Sequence, residues 1–216
     1  METLENLLVF SKPVGIFQMN CYVVGDRVTR EGVVVDAGAE SGVILDMVER
    51  SGLQIRYLFC THAHIDHVMA VLDLKRELGV PFGLHREERF WLDALPEQAA
   101  MFGLPFSGEV PEVDIELREG DTFSFGRFEM RVFEVPGHSP GHVMFLVEDK
   151  LFSGDCVFYR SIGRTDLPRC SYDLLMESIT KKILTLPEET TIFPGHGPAT
   201  TVGDEKKYNP FFGTEV

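Results

Sequence analysis

One short segment, residues 60–67, contains three histidines and one aspartate within six positions. The preceding residues, 55–60, form an apolar run typical of a β-strand, and residues 68–78 carry apolar side chains at helical spacing. The segment is therefore predicted to form a turn between a strand and a helix. In an extended segment, His62 and His64 point to the same side, so both imidazoles can reach one metal ion.

Asp66 and His67 are predicted to open the following helix. A carboxylate at that place is stabilised by the free N–H groups and the positive dipole end of the helix. The spacing differs from that of a helical His-Glu-x-x-His site, so we expect a turn that holds two adjacent ions. Without a cation, four such side chains in an apolar setting would leave like charges and unpaired polar groups, and a bound metal removes that cost.

The composition excludes several functions. The 216 residues include 20 Lys and Arg against 34 Asp and Glu, a net charge of −14, which opposes binding to nucleic acid or to an anionic membrane surface. The amino terminus lacks a basic leader pattern, and no apolar run approaches the ~18 residues of a membrane span, so a cytoplasmic location is expected. The four cysteines are widely spaced, which indicates neither a disulfide framework nor a zinc ribbon.

The remaining pattern predicts one α/β domain over residues 1–216, with a short tail from about residue 203 that shows no clear periodicity. Residues 86–111 are predicted to be a partly helical excursion, either an ordinary cover for the sheet or an apolar wall beside the site. In a helix at 171–184, Leu174 is expected to point inward together with Leu175. The predicted strands are 7–11, 17–24, 32–36, 55–60, 80–84, 113–117, 121–125, 127–135, 143–148, 150–153 and 190–193, and the other helices are 40–50 and 67–78.

Three further strand ends carry metal-binding residue types directly after a glycine. They are His138, Asp155 and His196, and each follows an apolar run. Tight turns at one rim of a sheet can bring side chains from distant sequence positions to one site. Together with residues 62–67, these three residues complete two sets of metal ligands.

These residues, with Asp36, resemble the signature of the metallo-β-lactamase superfamily, in order and across nearly the whole chain. The resemblance implies a four-layer αββα sandwich with the metal site on the shared edge of two sheets. The ligand sets that it implies are His62, His64 and His138 for one ion and Asp66, His67 and His196 for the other, with Asp155 bridging them. Two divalent ions per chain are expected, with zinc favoured and iron or manganese as alternatives.

Within the superfamily, two features resemble the glyoxalase II-like branch. Asp155 stands where zinc β-lactamases carry a cysteine, so antibiotic hydrolysis is not expected. The loop at 163–168, Gly-Arg-Thr-Asp-Leu-Pro, resembles that of short glyoxalase II-like hydrolases and of persulfide dioxygenases. Only about 20 residues follow His196, whereas full-length glyoxalase II continues with a basic helical region that binds glutathione, so glutathione is one of several possible carriers.

The favoured function is hydrolysis of a small-molecule thioester, such as an acylated glutathione. Two ions would activate water, polarise the thioester carbonyl and favour departure of the thiolate, while Asp66 orients the nucleophile and moves its proton. Arg164 is expected to bind a substrate carboxylate or, equally, to pair with Asp166. His142 is assigned either a turn role or contact with a ligand, and His85 is expected not to bind metal.

The alternative function belongs to another reaction class, a mononuclear iron persulfide dioxygenase. It would use His62, His138 and Asp155 as a face of two histidines and one carboxylate. A protein with a purely structural metal is disfavoured, because structural sites are closed with four ligands, often cysteines. The sequence does not indicate an oligomeric state.

Overall fold

The computed structural model describes residues 6–214, which form two compact units. The first unit contains the residues up to Leu117 together with Ser124–Phe128, and the second contains Arg118–Phe123 and the chain from Glu129 onward. Each unit contains helices and most or all of one six-stranded sheet. Across residues 6–214, no helix is both long and apolar enough to cross a membrane.

The sheet of the first unit has its six strands in sequence order. They are β1 (Leu7–Val14), β2 (Met19–Asp26), β3 (Glu31–Val35), β4 (Gln54–Phe59), β5 (Phe82–His85) and β6 (Ile115–Leu117). The first three strands are antiparallel, and β3 to β6 are parallel neighbours. The carboxyl ends of parallel strands lie at one edge of a sheet, so the loops after β3, β4 and β5 meet there.

The first unit has five α-helices, and one predicted helix is divided. They are α1 (Ser41–Ser51), α2 (Ile65–Val68), α3 (Val71–Leu78), α4 (Arg89–Asp93) and α5 (Leu95–Phe102). The prediction of one continuous helix at 67–78 was wrong, because the helical segment begins at Ile65 and is interrupted at residues 69–70. There the N–H of Ala70 donates to the carbonyl oxygen of Ala37, 2.9 Å away, and this contact with the loop after β3 separates α2 from α3.

The second sheet has the order β14-β13-β10-β9-β8-β7. Its strands are β7 (Thr122–Phe125), β8 (Phe128–Glu134), β9 (Val143–Val147), β10 (Lys150–Gly154), β13 (Thr191–Pro194) and β14 (Thr200–Thr201); β11 (Val157–Phe158) and β12 (Ser161–Ile162) pair separately. Strands β8 and β10 are both antiparallel to β9, and β10 is parallel to β13. The carboxyl ends of β8, β10 and β13 therefore share one edge.

The predicted helix at 171–184 is α6 (Tyr172–Ser178) followed by a π-helical turn, Ile179–Ile183. Leu184 N–H donates to the carbonyl oxygen of Ile179 at 2.9 Å, the five-residue spacing of a π-helix. The inward assignment of Leu174 was wrong, since its side chain is 46% exposed, whereas Leu175 is fully buried.

The segment without periodicity contains a helix, α7 (Val202–Tyr208). Glu205 on this helix is fully buried, and its carboxylate accepts hydrogen bonds from the Thr200 hydroxyl at 2.7 Å and from the Asn209 amide at 2.7 Å. The same carboxylate accepts the backbone N–H of Arg160 at 3.0 Å. Polar contacts therefore hold this helix to the β11–β12 region, which explains why hydrophobic periodicity did not detect it.

An ion pair between a buried carboxylate and a partly exposed guanidinium lies at the end of β2 in the first sheet. Asp26, at the end of β2, is fully buried and accepts two hydrogen bonds from the Arg127 guanidinium, at 2.9 and 2.8 Å. Hydrogen bonds from Arg127 hold the pKa of the Asp26 carboxyl far below its usual range, and the Val28 N–H at 2.8 Å acts in the same direction.

We predict that Asp26→Asn lowers the free energy of unfolding by about 1–3 kcal/mol at pH 7, less than the loss of a fully buried pair because Arg127 is partly exposed. Since the folded-state pKa is depressed, this stabilisation exists above the unfolded pKa of about 3.9 and is lost as the pH falls below it. Urea unfolding at pH 7 and pH 3 should show the difference shrinking at the lower pH. The matched control, Asp46→Asn, breaks an exposed pair with Arg50 and should cost less than about 0.5 kcal/mol at both values.

Candidate metal centre

A buried carboxylate organises the predicted ligand turn of the first unit. Asp36 follows β3 directly and adopts a positive φ of 59°. One of its oxygens accepts the N–H of Thr61 at 2.7 Å, and the other accepts the Thr61 hydroxyl at 3.0 Å. Asp36 is therefore a turn residue that ties the loop after β4 to the end of β3. It does not begin α1, which starts at Ser41.

The same contacts orient two histidines. Oδ2 of Asp36 lies 3.0 Å from Nδ1 of His67, and the Thr61 hydroxyl oxygen lies 3.0 Å from Nδ1 of His62. Because the Thr61 hydroxyl donates its own proton to Asp36, it accepts one from His62. For His62, this acceptor at Nδ1 holds the proton there and places the lone pair on Nε2, the arrangement that a metal ion requires.

The other two residues of the turn lie close to this pair. The rings of His62 and His64 are 4.7 Å apart, those of His62 and His67 are 4.0 Å apart, and ligand nitrogens of each pair lie within 4.8 Å. Asp66 is in the first turn of α2, with Oδ2 3.9 Å from Nε2 of His67. The structure therefore brings His62, His64, Asp66 and His67 close together in the first unit.

Residues 86–102 support this turn through polar contacts that the sequence did not reveal. The fully buried Glu88 accepts the N–H of Ala63 at 2.8 Å. Gln98, on α5, accepts the N–H of Ile65 at 2.9 Å and donates to the carbonyl oxygens of Ala63, at 3.3 Å, and Trp91, at 2.8 Å. The segment is therefore more than a cover, because it fixes the backbone on both sides of His64. The ring of Trp91 also packs edge-on against His64, 4.7 Å away.

In the second unit, the three predicted strand-end residues also converge. Asp155 and His196 follow the parallel neighbours β10 and β13, and His138 follows β8. Oδ2 of Asp155 lies 3.6 Å from Nε2 of both histidines. This distance is longer than a hydrogen bond and close to the separation of roughly 3.4 Å between ligand atoms of a tetrahedral ion with ~2.1 Å bonds. Donor types and spacing both fit a metal ion.

The loop at 163–166 positions His138 through its backbone. The carbonyl oxygen of Arg164 lies 2.9 Å from Nδ1 of His138, which places the lone pair of this histidine on Nε2 as well. A Cβ on Gly163 would lie 1.8 Å from the carbonyl oxygen of Asp155 and 3.0 Å from Nδ1 of His138, so no larger residue fits without movement. Steric contact therefore explains why position 163 is a glycine.

The side chain of Arg164 forms the ion pair that was one of its two predicted roles. It donates to both oxygens of Asp166, at 2.7 and 2.9 Å, on an exposed part of the loop. The hydrogen bonds from Arg164 lower the pKa of Asp166 to about 2. The loop therefore carries a partly exposed guanidinium whose carboxylate partner comes from within the loop.

Two other histidines have structural contacts. Nε2 of His142 accepts the backbone N–H of Asp155 at 3.1 Å, so His142 positions the loop that carries a predicted ligand. His85 accepts the N–H of Glu87 at 3.3 Å and caps the 3₁₀ turn after β5. Among residues 6–214, neither belongs to a group of side chains that could hold a metal ion.

The cysteines lie outside the predicted ligand set. Cys21, Cys60 and Cys156 are buried, and burial raises the pKa of each thiol, so they stay neutral. Cys156 belongs to the hydrophobic core of the second unit. The partly exposed Cys170 donates from Sγ to the carbonyl oxygen of His138 at 2.7 Å.

A family comparison covers the predicted ligands of both units. The model of the metallo-beta-lactamase superfamily matches residues 14–196, a range that contains every predicted metal ligand. The chain belongs to the metallo-β-lactamase superfamily. The mixed α/β fold class is confirmed, and two sheets with helices in both units are consistent with the αββα sandwich of that superfamily.

Relatives in this superfamily cover almost the full length of the chain. The chain is 37% identical to the hydroxyacylglutathione hydrolase GloC of Haemophilus influenzae over 94% of this chain and 97% of that protein. It is also 37% identical to the probable metallo-hydrolase YqgX of Bacillus subtilis, over 92% and 94% of the two chains. These relatives, together with the family match, indicate a metallo-hydrolase.

Solved structures give the same picture. The B3 metallo-beta-lactamase BLEG-1 is 38% identical with a TM-score of 0.86, and the match covers 94% of this chain and 99% of that one. TTHA1623 in a di-iron-bound form is also 38% identical, with a TM-score of 0.85 over 94% and 100% of the two chains. ETHE1 from Myxococcus xanthus is 26% identical with a TM-score of 0.77, covering 94% and 83%.

We predict that Gln98→Ala weakens metal binding in this superfamily member by about 10–100-fold, the usual effect of removing a group that orients a ligand. The variant leaves the N–H of Ile65 without its acceptor, beside His64. Competition with a chromophoric chelator, and metal content after dialysis, would measure the change.

Glu97→Ala, at an exposed position on the same helix, is the matched control and should bind metal normally, as should His85→Ala. Normal metal affinity in Gln98→Ala would show that the turn holds its geometry without this side chain.

Proposed function

We propose that the protein is a dinuclear metal-dependent thioesterase of the glyoxalase II-like type, which acts on acylated glutathione or a similar small thioester. We also propose that the protein is cytoplasmic, as expected from the sequence. The proposed ligands are His62, His64 and His138 for one ion and Asp66, His67 and His196 for the other, with Asp155 shared. Zinc is the favoured metal, and iron and manganese are the alternatives.

One observation carries the proposal. The buried carboxylate of Asp36 faces Nδ1 of His67, so the fold uses a buried anion to orient a histidine that only a second ion needs as a ligand. A site for one ion on His62, His138 and Asp155 does not use His67 as a ligand, so it does not explain why Asp36 lies against His67. Two relatives support the same conclusion, since GloC is named a hydroxyacylglutathione hydrolase and TTHA1623 has a di-iron-bound form.

The reaction joins water to the thioester carbonyl carbon and breaks the carbon–sulfur bond, giving a carboxylic acid and a thiol. Two bound divalent ions would supply charge stabilisation for the oxyanion and lower the pKa of water. The Asp66 carboxylate, which is partly exposed, would take the proton of the attacking water and deliver it to the departing sulfur. Asp36 and Thr61 keep His67 and His62 oriented throughout, and the Arg164 carbonyl does the same for His138.

Two other reactions are alternative outcomes of the same tests. The dioxygenase alternative uses His62, His138 and Asp155 as metal ligands, as the proposed thioesterase also does. The likeness to BLEG-1, a B3 metallo-beta-lactamase, makes β-lactam hydrolysis a necessary comparison, although the acidic residue at position 155 argued against it.

We predict that wild-type protein hydrolyses lactoylglutathione without consuming oxygen. His67→Ala should lose about one ion per chain and most of this activity, because one of two charge-stabilising centres is gone. Thioester cleavage followed at the thiol, oxygen uptake with glutathione persulfide, cleavage of a chromogenic β-lactam and metal content are measured on both proteins.

Each alternative has its own signature in that experiment. Oxygen uptake well above thioester cleavage, kept in His67→Ala with one iron per chain, would replace the hydrolase by the dioxygenase. β-Lactam cleavage faster than thioester cleavage would replace it by a lactamase. Glu97→Ala, at an exposed position on α5, is the control for both measurements.

We also propose that Arg164 binds a substrate carboxylate and that its ion pair with Asp166 breaks when the substrate binds. Arg164→Ala should raise the Michaelis constant for anionic thioesters by up to about 10–100-fold, the loss of a charge-assisted contact worth ~1.5–3 kcal/mol, with little change for neutral thioesters. Asp166→Ala is the matched control, since it breaks the same ion pair but keeps the cation, and should not raise this constant. Equal effects of both substitutions would limit Arg164 to its pair with Asp166.

A further inference from the structure

The first unit contains a cavity of about 790 Å³ beside the ligand turn. It is bounded by the turn between β1 and β2, the start of α1, the α2–α3 junction and the loop after α5. Asp66, the residue to which proton transfer is assigned, is part of its wall. The volume lies in the usual range for small-molecule sites.

Most of the wall is apolar. Its larger side chains include Ile16, Phe17, Val68, Leu72, Leu104 and Phe106. Ile16 is 67% exposed, and Leu72 and Phe106 are partly exposed, so apolar surface faces water here. Removing such surface from water favours binding of an apolar ligand.

The charges of the wall have one sign. Among the described residues that line the cavity, none is a lysine, arginine or histidine, whereas Glu40, Asp73 and Glu109 join Asp66 there. The nearby Arg76 is paired with Glu109 at 2.5 Å. A thiol carrier with carboxylates or phosphates would meet acidic side chains and no basic one among the described residues that line this cavity, so the neutral part of a thioester fits it better.

We propose that this cavity binds the acyl group of the thioester and that the preferred acyl group is a neutral, apolar chain longer than lactoyl. The inference rests on the proposed thioesterase function and adds its substrate class. Since Asp66 belongs to both the cavity and the proton-transfer step, an acyl chain in the cavity places its carbonyl carbon beside that carboxylate. A lactoyl group would leave most of the apolar wall in contact with water.

The test uses thioesters of one neutral thiol, N-acetylcysteamine, with acetyl, butanoyl, hexanoyl and octanoyl groups. Because the leaving group is constant, kcat/KM should rise about two- to fourfold per added methylene, up to the fourfold that corresponds to ~0.8 kcal/mol. A second series keeps acetyl and lengthens an alkyl thiol, and it should show no such rise. Calorimetry with non-hydrolysable analogues, in which a methylene separates sulfur from the carbonyl, measures chain-length dependence without turnover.

Two pairs of variants locate the effect. Ile16→Glu puts a charge on an exposed turn of the cavity wall, and Val28→Glu puts the same charge on the next turn of the sheet, 61% exposed and outside the cavity. Leu72→Trp fills part of the cavity, and Leu174→Trp enlarges an exposed leucine on α6. Ile16→Glu and Leu72→Trp should abolish the rise with acyl length, and both controls should keep it.

The outcomes separate the inference from the function. Thioester cleavage that is independent of acyl length, or that rises with thiol length, would overturn the acyl assignment and leave the hydrolase intact. Analogue binding that grows with chain length and is lost in Ile16→Glu, without cleavage of any thioester, would keep the cavity assignment and reject the hydrolase. If Leu72→Trp does not fold, the exposed Ile16 and Val28 pair decides the question.

Discussion

The buried carboxylate of Asp36 is the contact on which the ligand turn depends. It lies where β3 ends and bonds to Thr61, which follows β4, so it fixes one parallel strand end to the next. Through Oδ2 and the Thr61 hydroxyl, it also orients His67 and His62. One carboxylate therefore sets the path of the backbone and contacts two predicted ligands, one directly and one through Thr61, which is why a side chain outside the ligand set matters to the site.

Much of the candidate site could be predicted from the sequence because its ligands are encoded locally. Residues 62–67 cluster in the chain, and His138, Asp155 and His196 each follow a glycine at the end of an apolar run. Parallel strands then gather such ends at one edge, a rule that needs no knowledge of side-chain contacts. The longer strands were predicted for the same reason, since alternating or continuous apolar runs mark them directly. The two-residue strands β11, β12 and β14 were missed because they are too short to show such a run.

The supporting contacts could not be predicted because they join side chains to distant backbone groups. Gln98 bonds to Ile65 and Ala63 across more than 30 residues, and His138 contacts the carbonyl oxygen of Arg164 rather than its side chain. Helix α7 escaped detection because Glu205 attaches it through hydrogen bonds, and no periodic apolar stripe is needed for that. Polar support of this kind has no signature in hydropathy.

Each unit places carboxylates next to predicted metal ligands. In the first unit, buried Asp36 and Glu88 bring negative charge close to the ligand turn, where hydrogen bonds from Thr61 and Ala63 stabilise it. In the second unit, Asp155 adds a further carboxylate between two histidines. Bound cations would compensate this excess of anions in the folded state only, so metal binding and stability are coupled. The net charge of −14 also favours the approach of cations, and an apolar acyl group is the part of a thioester that such a protein can bury at least cost.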